Sequence, residues 1–115
     1  MIDVTAKKRY LCSQLVPLRW SSRGAPCEAV GNLESIWTTG AEVCLETPIP
    51  ERTVLHIRTR QREWRGLVRG CRQGEQAFYI EIRFLPMHFW SRRRFVPEHL
   101  FDPSALWGFG RLSNA

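Results

Sequence analysis

The segment Phe78-Tyr79-Ile80-Glu81-Ile82-Arg83-Phe84 alternates apolar and polar residues without a break. Phe78, Ile80, Ile82 and Phe84 share one face, while Tyr79, Glu81 and Arg83 share the other. That period of two is the mark of a half-buried β-strand. Working outward, residues 14–20, 27–36, 41–46, 53–59 and 63–70 carry the same alternation and complete a set of six strands. Turn signals separate them at Gly24-Ala25-Pro26, Thr38-Thr39-Gly40, Pro48 to Pro50 and Gln73-Gly74. Short, evenly spaced strands of this kind predict an all-β domain, a small antiparallel barrel or sandwich. Closure into a barrel would remove exposed strand edges.

A chain of 115 residues is expected to form one domain, large enough to bury a core without disulfides or a metal. The four cysteines include no CxxC pair, and His56, His88 and His99 do not cluster with them. Reduced, mostly buried thiols are expected, with no metal and no cofactor. No apolar run reaches the length of a membrane span. The first ten residues lack the apolar core of a secretion signal, so a cytoplasmic location is expected. Neither a phosphate-binding loop nor a carboxylate–His–nucleophile spacing occurs, and no catalytic residue is assigned; the chain does not read as an enzyme. The net charge of +6 comes almost wholly from arginine, which suits phosphate and flat rings and so permits anionic partners.

After Pro86 the alternation stops. Residues 87–115 form an aromatic extension with several large apolar side chains, among them Phe89, Trp90, Phe95, Leu100, Phe101, Leu106, Trp107 and Phe109. That is too much apolar surface for a free tail. The extension is expected to pack on the barrel of residues 1–86, across its outside or over an open end. Pro97 is placed to open a short helical turn, and Asp102-Pro103 to cap another.

The order of elements, a basic stretch, a strand, then strand-turn-strand around Gly40 and three further strands, resembles the PilZ family of six-stranded barrels. The likeness runs from about Lys7 to Leu85 and is carried by residues 33–57 together with "AFYIEIRF" at 77–84. Members of that family bind cyclic di-GMP in bacteria through two motifs, RxxxR before the first strand and D/N-x-S-x-x-G at the turn. Arginines at that spacing grip phosphate and stack on guanine; the turn supplies short polar groups and a Gly that permits positive φ and close approach. In this chain the turn motif reads Ser35-Ile36-Trp37-Thr38-Thr39-Gly40, and the basic motif reads Lys8-Arg9-Tyr10-Leu11-Cys12. Gly40 is kept, Ser35 replaces the acid or amide, Trp37 replaces Ser, and Cys12 replaces the second Arg.

The resemblance thus implies a non-catalytic receptor or adaptor in cyclic di-GMP signalling whose ligand is bound weakly or not at all. Lys8 and Arg9 would contact phosphate, with Ser35 and Gly40 lining the turn and Trp37 plugging the place of the base or covering the barrel's rim. Cys12→Arg with Trp37→Ser is expected to raise affinity. Two other assignments stay open: Arg19 to Arg23 is literally RxxxR and offers an alternative arm, and Asn32 with Ser35 offers an alternative turn pair. A second reading is a ligand-independent protein-interaction module that uses Trp90 and Phe95 of the aromatic segment, with a protein partner. A third has the arginines between Arg52 and Arg72 bind nucleic acid with Trp64 as a stacking platform. The three arginines of "SRRRF" (91–95) either grip phosphate or solvate a loop.

Overall fold

The computed structural model describes residues 8–104. Six antiparallel strands form a closed barrel: β1 (Tyr10–Ser22), β2 (Ala25–Trp37), β3 (Gly40–Leu45), β4 (Val54–Arg58), β5 (Glu63–Gln73) and β6 (Phe78–Phe84). Around the barrel the order is β1-β2-β3-β6-β5-β4, returning to β1. Every strand expected from the alternation is present. β1 and β2 overrun the expected limits at both ends, each reaching 13 residues. Their link is a two-residue turn, Arg23 and Gly24, between the paired Ser22 and Ala25. Both turn residues have positive φ (51° and 83°), the backbone that matches the twist of a tight hairpin.

The inward faces supply one continuous core. Val16 and Leu18 of β1, Val43 of β3, Leu55 of β4, Val68 of β5 and Ile80 and Ile82 of β6 are almost wholly buried together. The strongest alternation in the sequence, on β6, therefore lies where it should, with Glu81 and Arg83 outside.

Closure is uneven. β4 has only five residues and meets β1 at just two pairs, Leu18 with Ile57 and Arg19 with His56. The first half of β1 is left without a strand on that side, and the C-terminal segment takes the edge. Leu11 and Phe101 exchange backbone hydrogen bonds of 2.8 and 2.7 Å, and the Ser13 N–H donates to the Glu98 carbonyl at 3.0 Å. The Glu98 N–H donates to Gln14 Oε1 at 2.9 Å.

The same segment fills the barrel's open end. Trp90 and Phe95 are buried within the core cluster. The Trp90 ring stands edge-on to Tyr10 at 5.5 Å between centroids, and its indole N–H donates to the Phe95 carbonyl at 2.9 Å. Phe95 lies 5.2 Å from the ring of Trp64, whose indole N–H reaches the Phe89 carbonyl at 3.4 Å. The indoles of Trp64 and Trp90 at this end thus each find an acceptor, as burial of a polar N–H requires. Arg94 also donates to the Phe89 carbonyl at 3.1 Å, and the Arg92 guanidinium lies 5.7 Å from the Tyr10 ring, so two of the "SRRRF" arginines are engaged in holding this cap.

The expected helical turn at Pro97 is absent: only a bend-like turn at 98–99 follows it, with His99 at φ 59°, because the chain must extend to pair with β1. The Asp102-Pro103 cap is present, with Asp102 Oδ1 accepting the Ser104 N–H at 2.9 Å. Leu106, Trp107 and Phe109 lie outside the described residues. Among the described residues no helix is long and apolar enough to cross a membrane.

Trp90→Ala should cost about 3–5 kcal/mol, since it opens a cavity beneath the cap and strips the Phe95 carbonyl of its donor. Urea denaturation measures this; a loss below about 1 kcal/mol would mean that the cap contributes little.

Candidate ligand-binding site

The β2–β3 hairpin shapes the site. A bulge between Leu33 and Ser35 shifts the phase of β2, so that Leu33 and Ile36 both face the core. Ser35 and Trp37 are thereby turned outward, paired with Glu42 and Gly40 of β3. Both are nevertheless only 2% exposed. Gly40 explains how an outward indole can be buried. A Cβ at Gly40 would collide with the Ile82 carbonyl oxygen and lie 2.9 Å from Cε2 and Cζ2 of Trp37. The missing side chain is the bed on which the indole rests. Gly40 does not have positive φ, so the conformational role expected of it is not the one it fills; close approach is.

Over the indole lies Arg9, its guanidinium carbon 4.1 Å from the ring centroid. This is a cation–π stack, about 0.5–1 kcal/mol where solvent is near. Beside it, Trp37, Thr39, Arg69, Glu81, Ile82 and Arg83 line a groove of about 470 Å³. Arg83 is the residue paired with Gly40, and Arg69 lies at a bulge of β5 between Val68 and Gly70. Three guanidinium groups and one indole therefore meet on the outer wall, with Glu81 as the acid among the lining residues. Next to Trp37 on the same face, the buried hydroxyl of Ser35 has no hydrogen-bond partner among the described residues.

Of the sequence-predicted residues, Arg9, Ser35, Trp37 and Gly40 come together here. Lys8 does not contact the groove. Its ammonium pairs with Asp102 Oδ2 at 3.0 Å and sits 5.4 Å from the Tyr10 ring, tying the N-terminal arm to the C-terminal segment. The hydrogen bond from the Ser104 hydroxyl, then that from Lys8, holds the Asp102 carboxyl down to about 2. Asp102 in turn raises Lys8.

Cys12, in the position of the second motif arginine, belongs to β1 and faces inward. It is 8% exposed, and its thiol contacts the Leu33 carbonyl at 3.5 Å. Burial, aided by the charge of Glu34, pushes that thiol up to about 12. The expectation that Cys12→Arg would help restore ligand binding is overturned, because an arginine there would point into the core.

The alternative assignments fall elsewhere. Arg19, opposite Glu28, lies about 30 Å along β2 from Trp37, and Arg23, in the turn before Ala25, about 40 Å, so neither reaches the β2–β3 turn. Asn32 is inside the β2 ladder, opposite Leu15 and Cys44, with its amide donating to Glu34 at 2.7 Å. Trp64 is buried in the core and offers no stacking surface to nucleic acid. Trp90 and Phe95 also face inward, so they are not the exposed surface expected of an interaction module; Met87 and Phe89, 84% and 47% exposed, are among the apolar residues that the cap presents outward, with Val96 and Phe101.

Sequence reasoning missed Arg69 and Arg83 as groove residues. The outward positions of both were readable from the alternation of β6 and of residues 63–70; that the two share a groove with Trp37 was not. Compared with protein-family models, with curated proteins and with solved structures, the chain matches none.

Cys12→Arg should destabilise the fold by at least about 3 kcal/mol, through an unpaired charge in the core; thermal melts test this. Because the Asp102 carboxyl is depressed on folding, its pairing is present above the ordinary carboxylate range and is lost as pH falls through about 2. NMR titration of the Leu11 and Phe101 amides should show that midpoint. A midpoint near 4 would show that the contact is not formed.

Proposed function

We propose that this protein is a non-catalytic receptor or adaptor of the PilZ kind, whose cyclic di-GMP site is filled by its own side chains. One observation carries the reading: Arg9 of the N-terminal arm is stacked on Trp37 of the β2–β3 turn, beside a groove bordered by Arg69 and Arg83. An arm arginine and a turn at the outer wall of a six-stranded barrel are the two parts that ligand recognition in that family needs. Here the flat surface on which a guanine would lie is covered by an internal partner. A ligand must first displace Arg9 from the indole, or find room that the indole occupies. Binding is therefore weak or lost, while Arg69 and Arg83 still offer phosphate-compatible forks.

A second reading rests on a different observation, the outward exposure of Met87 and Phe89 on the cap. It makes the barrel a ligand-independent docking module, and the two readings respond differently to the same titration.

Calorimetric titration with cyclic di-GMP of the wild type, of Trp37→Ser and of Trp37→Ser with Arg9→Ala tests the proposal. Melting curves should first establish that each variant is folded. The expected order is weak or absent heat for the wild type, binding at least about tenfold tighter for Trp37→Ser, and loss again when Arg9 is removed. Silence from a folded Trp37→Ser would sink the receptor reading and leave the docking module.

A further inference from the structure

At the other end of the barrel a second groove, of about 680 Å³, lies between the tip of the β1–β2 hairpin and the loop ahead of β4. Its walls include Arg19, Trp20 and Ser21 of β1, Glu28 of β2, Arg52 of the loop and His56 of β4. The loop wall is firmly built. Ile49 is buried at 1% exposure and anchors it in the core. The Arg52 N–H donates to the Val68 carbonyl at 2.8 Å, and the Val68 N–H returns to the Thr53 carbonyl at 2.9 Å. These bonds hold Arg52 at φ 71°, a left-handed backbone that is costly for a long side chain. Such strain persists only where the surroundings impose it.

The groove's polar groups are unbalanced. Among the described residues the Arg52 guanidinium, the Trp20 indole N–H and the Ser21 hydroxyl have no protein partner. Arg19 has a long contact, 3.8 Å, with Glu63, whose carboxylate lies closer to His56 at 2.8 Å. Against these donors the lining provides a single carboxylate, Glu28, cross-strand from Arg19. A pocket that holds many donors and few acceptors suits a ligand rich in acceptors. Two arginines approaching from different segments suit an oxyanion with several oxygens. The volume is that of a small-molecule site.

We propose that this groove binds a phosphate-bearing small molecule, gripped by Arg19 and Arg52 and further held by the Trp20 N–H and the Ser21 hydroxyl. The site is independent of the Arg9–Trp37 wall, which lies at the far end of β2.

The test titrates the full chain with inorganic pyrophosphate and follows the Trp20 indole N–H by NMR, assigned through Trp20→Phe. Arg52→Asn removes the charge while suiting the left-handed backbone, and Arg19→Gln removes the second fork and keeps most of its stem. A saturable shift is expected, weakened about tenfold or more in each arginine variant and unchanged in Arg9→Ala. A shift reproduced by sodium chloride at equal ionic strength, or one indifferent to both arginine variants, overturns the proposal. So does binding that tightens steadily with the length of an added oligonucleotide, which would mark a polyanion surface instead. Because Arg9→Ala and Trp37→Ser report on the other wall alone, failure here leaves the receptor reading standing.

Discussion

The barrel cannot close on strands alone. A five-residue β4 opposite a 13-residue β1 leaves half an edge unpaired and one end of the core uncovered. Unpaired backbone groups and exposed core side chains are both costly in water. One segment relieves both: residues 98–101 pair with β1 while Trp90 and Phe95 enter the core from the open end. Trp90 and Phe95 of the aromatic segment after Pro86 are therefore part of the barrel's interior. Lys8 with Asp102 holds the N-terminal arm beside this segment, and the arm is what carries Arg9 to Trp37.

The outer wall at that end is organised by a lack of side chain. Gly40 leaves a hollow that the indole of Trp37 fills, and the bulge in β2 turns that indole outward. A bulge commonly re-aims a side chain in this way. The consequence for recognition is specific. The wall keeps cationic groups suited to phosphate, while the flat surface suited to a base is taken by an internal stack.

Much of the architecture was legible because alternation survives in the strands that face a single core. β6 shows this best, and all six strands were readable from it. The ends of β1 and β2 were less so, since Leu11, Leu15 and Val30 are exposed on the outside and blur the contrast between faces. Arginines on strands identify an outer face but do not say which of them share a groove; that is set by register, and register by bulges. Cys12 shows the limit most clearly. Laying a motif over the chain treats it as part of a solvent-facing arm, whereas its even position in β1 puts it in the core with Val16 and Leu18. Trp64, Trp90 and Phe95 were candidates for exposed recognition because aromatic residues serve that role; the space at the barrel's end claims them first.

The Leu11–Phe101 bridge has a consequence for the making of the protein. It joins the first strand to a segment beyond the last, so among the described residues the backbone pairing with the longest loop to close is also the one that seals the edge. On a ribosome all six strands emerge before that segment does. Until it arrives, the free half of β1 is an open template to which another chain's strand can add. The nascent barrel therefore passes through a stage in which its own residues 98–101 compete with neighbouring chains for one edge, and the arginines along its outer wall, repelling like-charged neighbours, favour the internal partner.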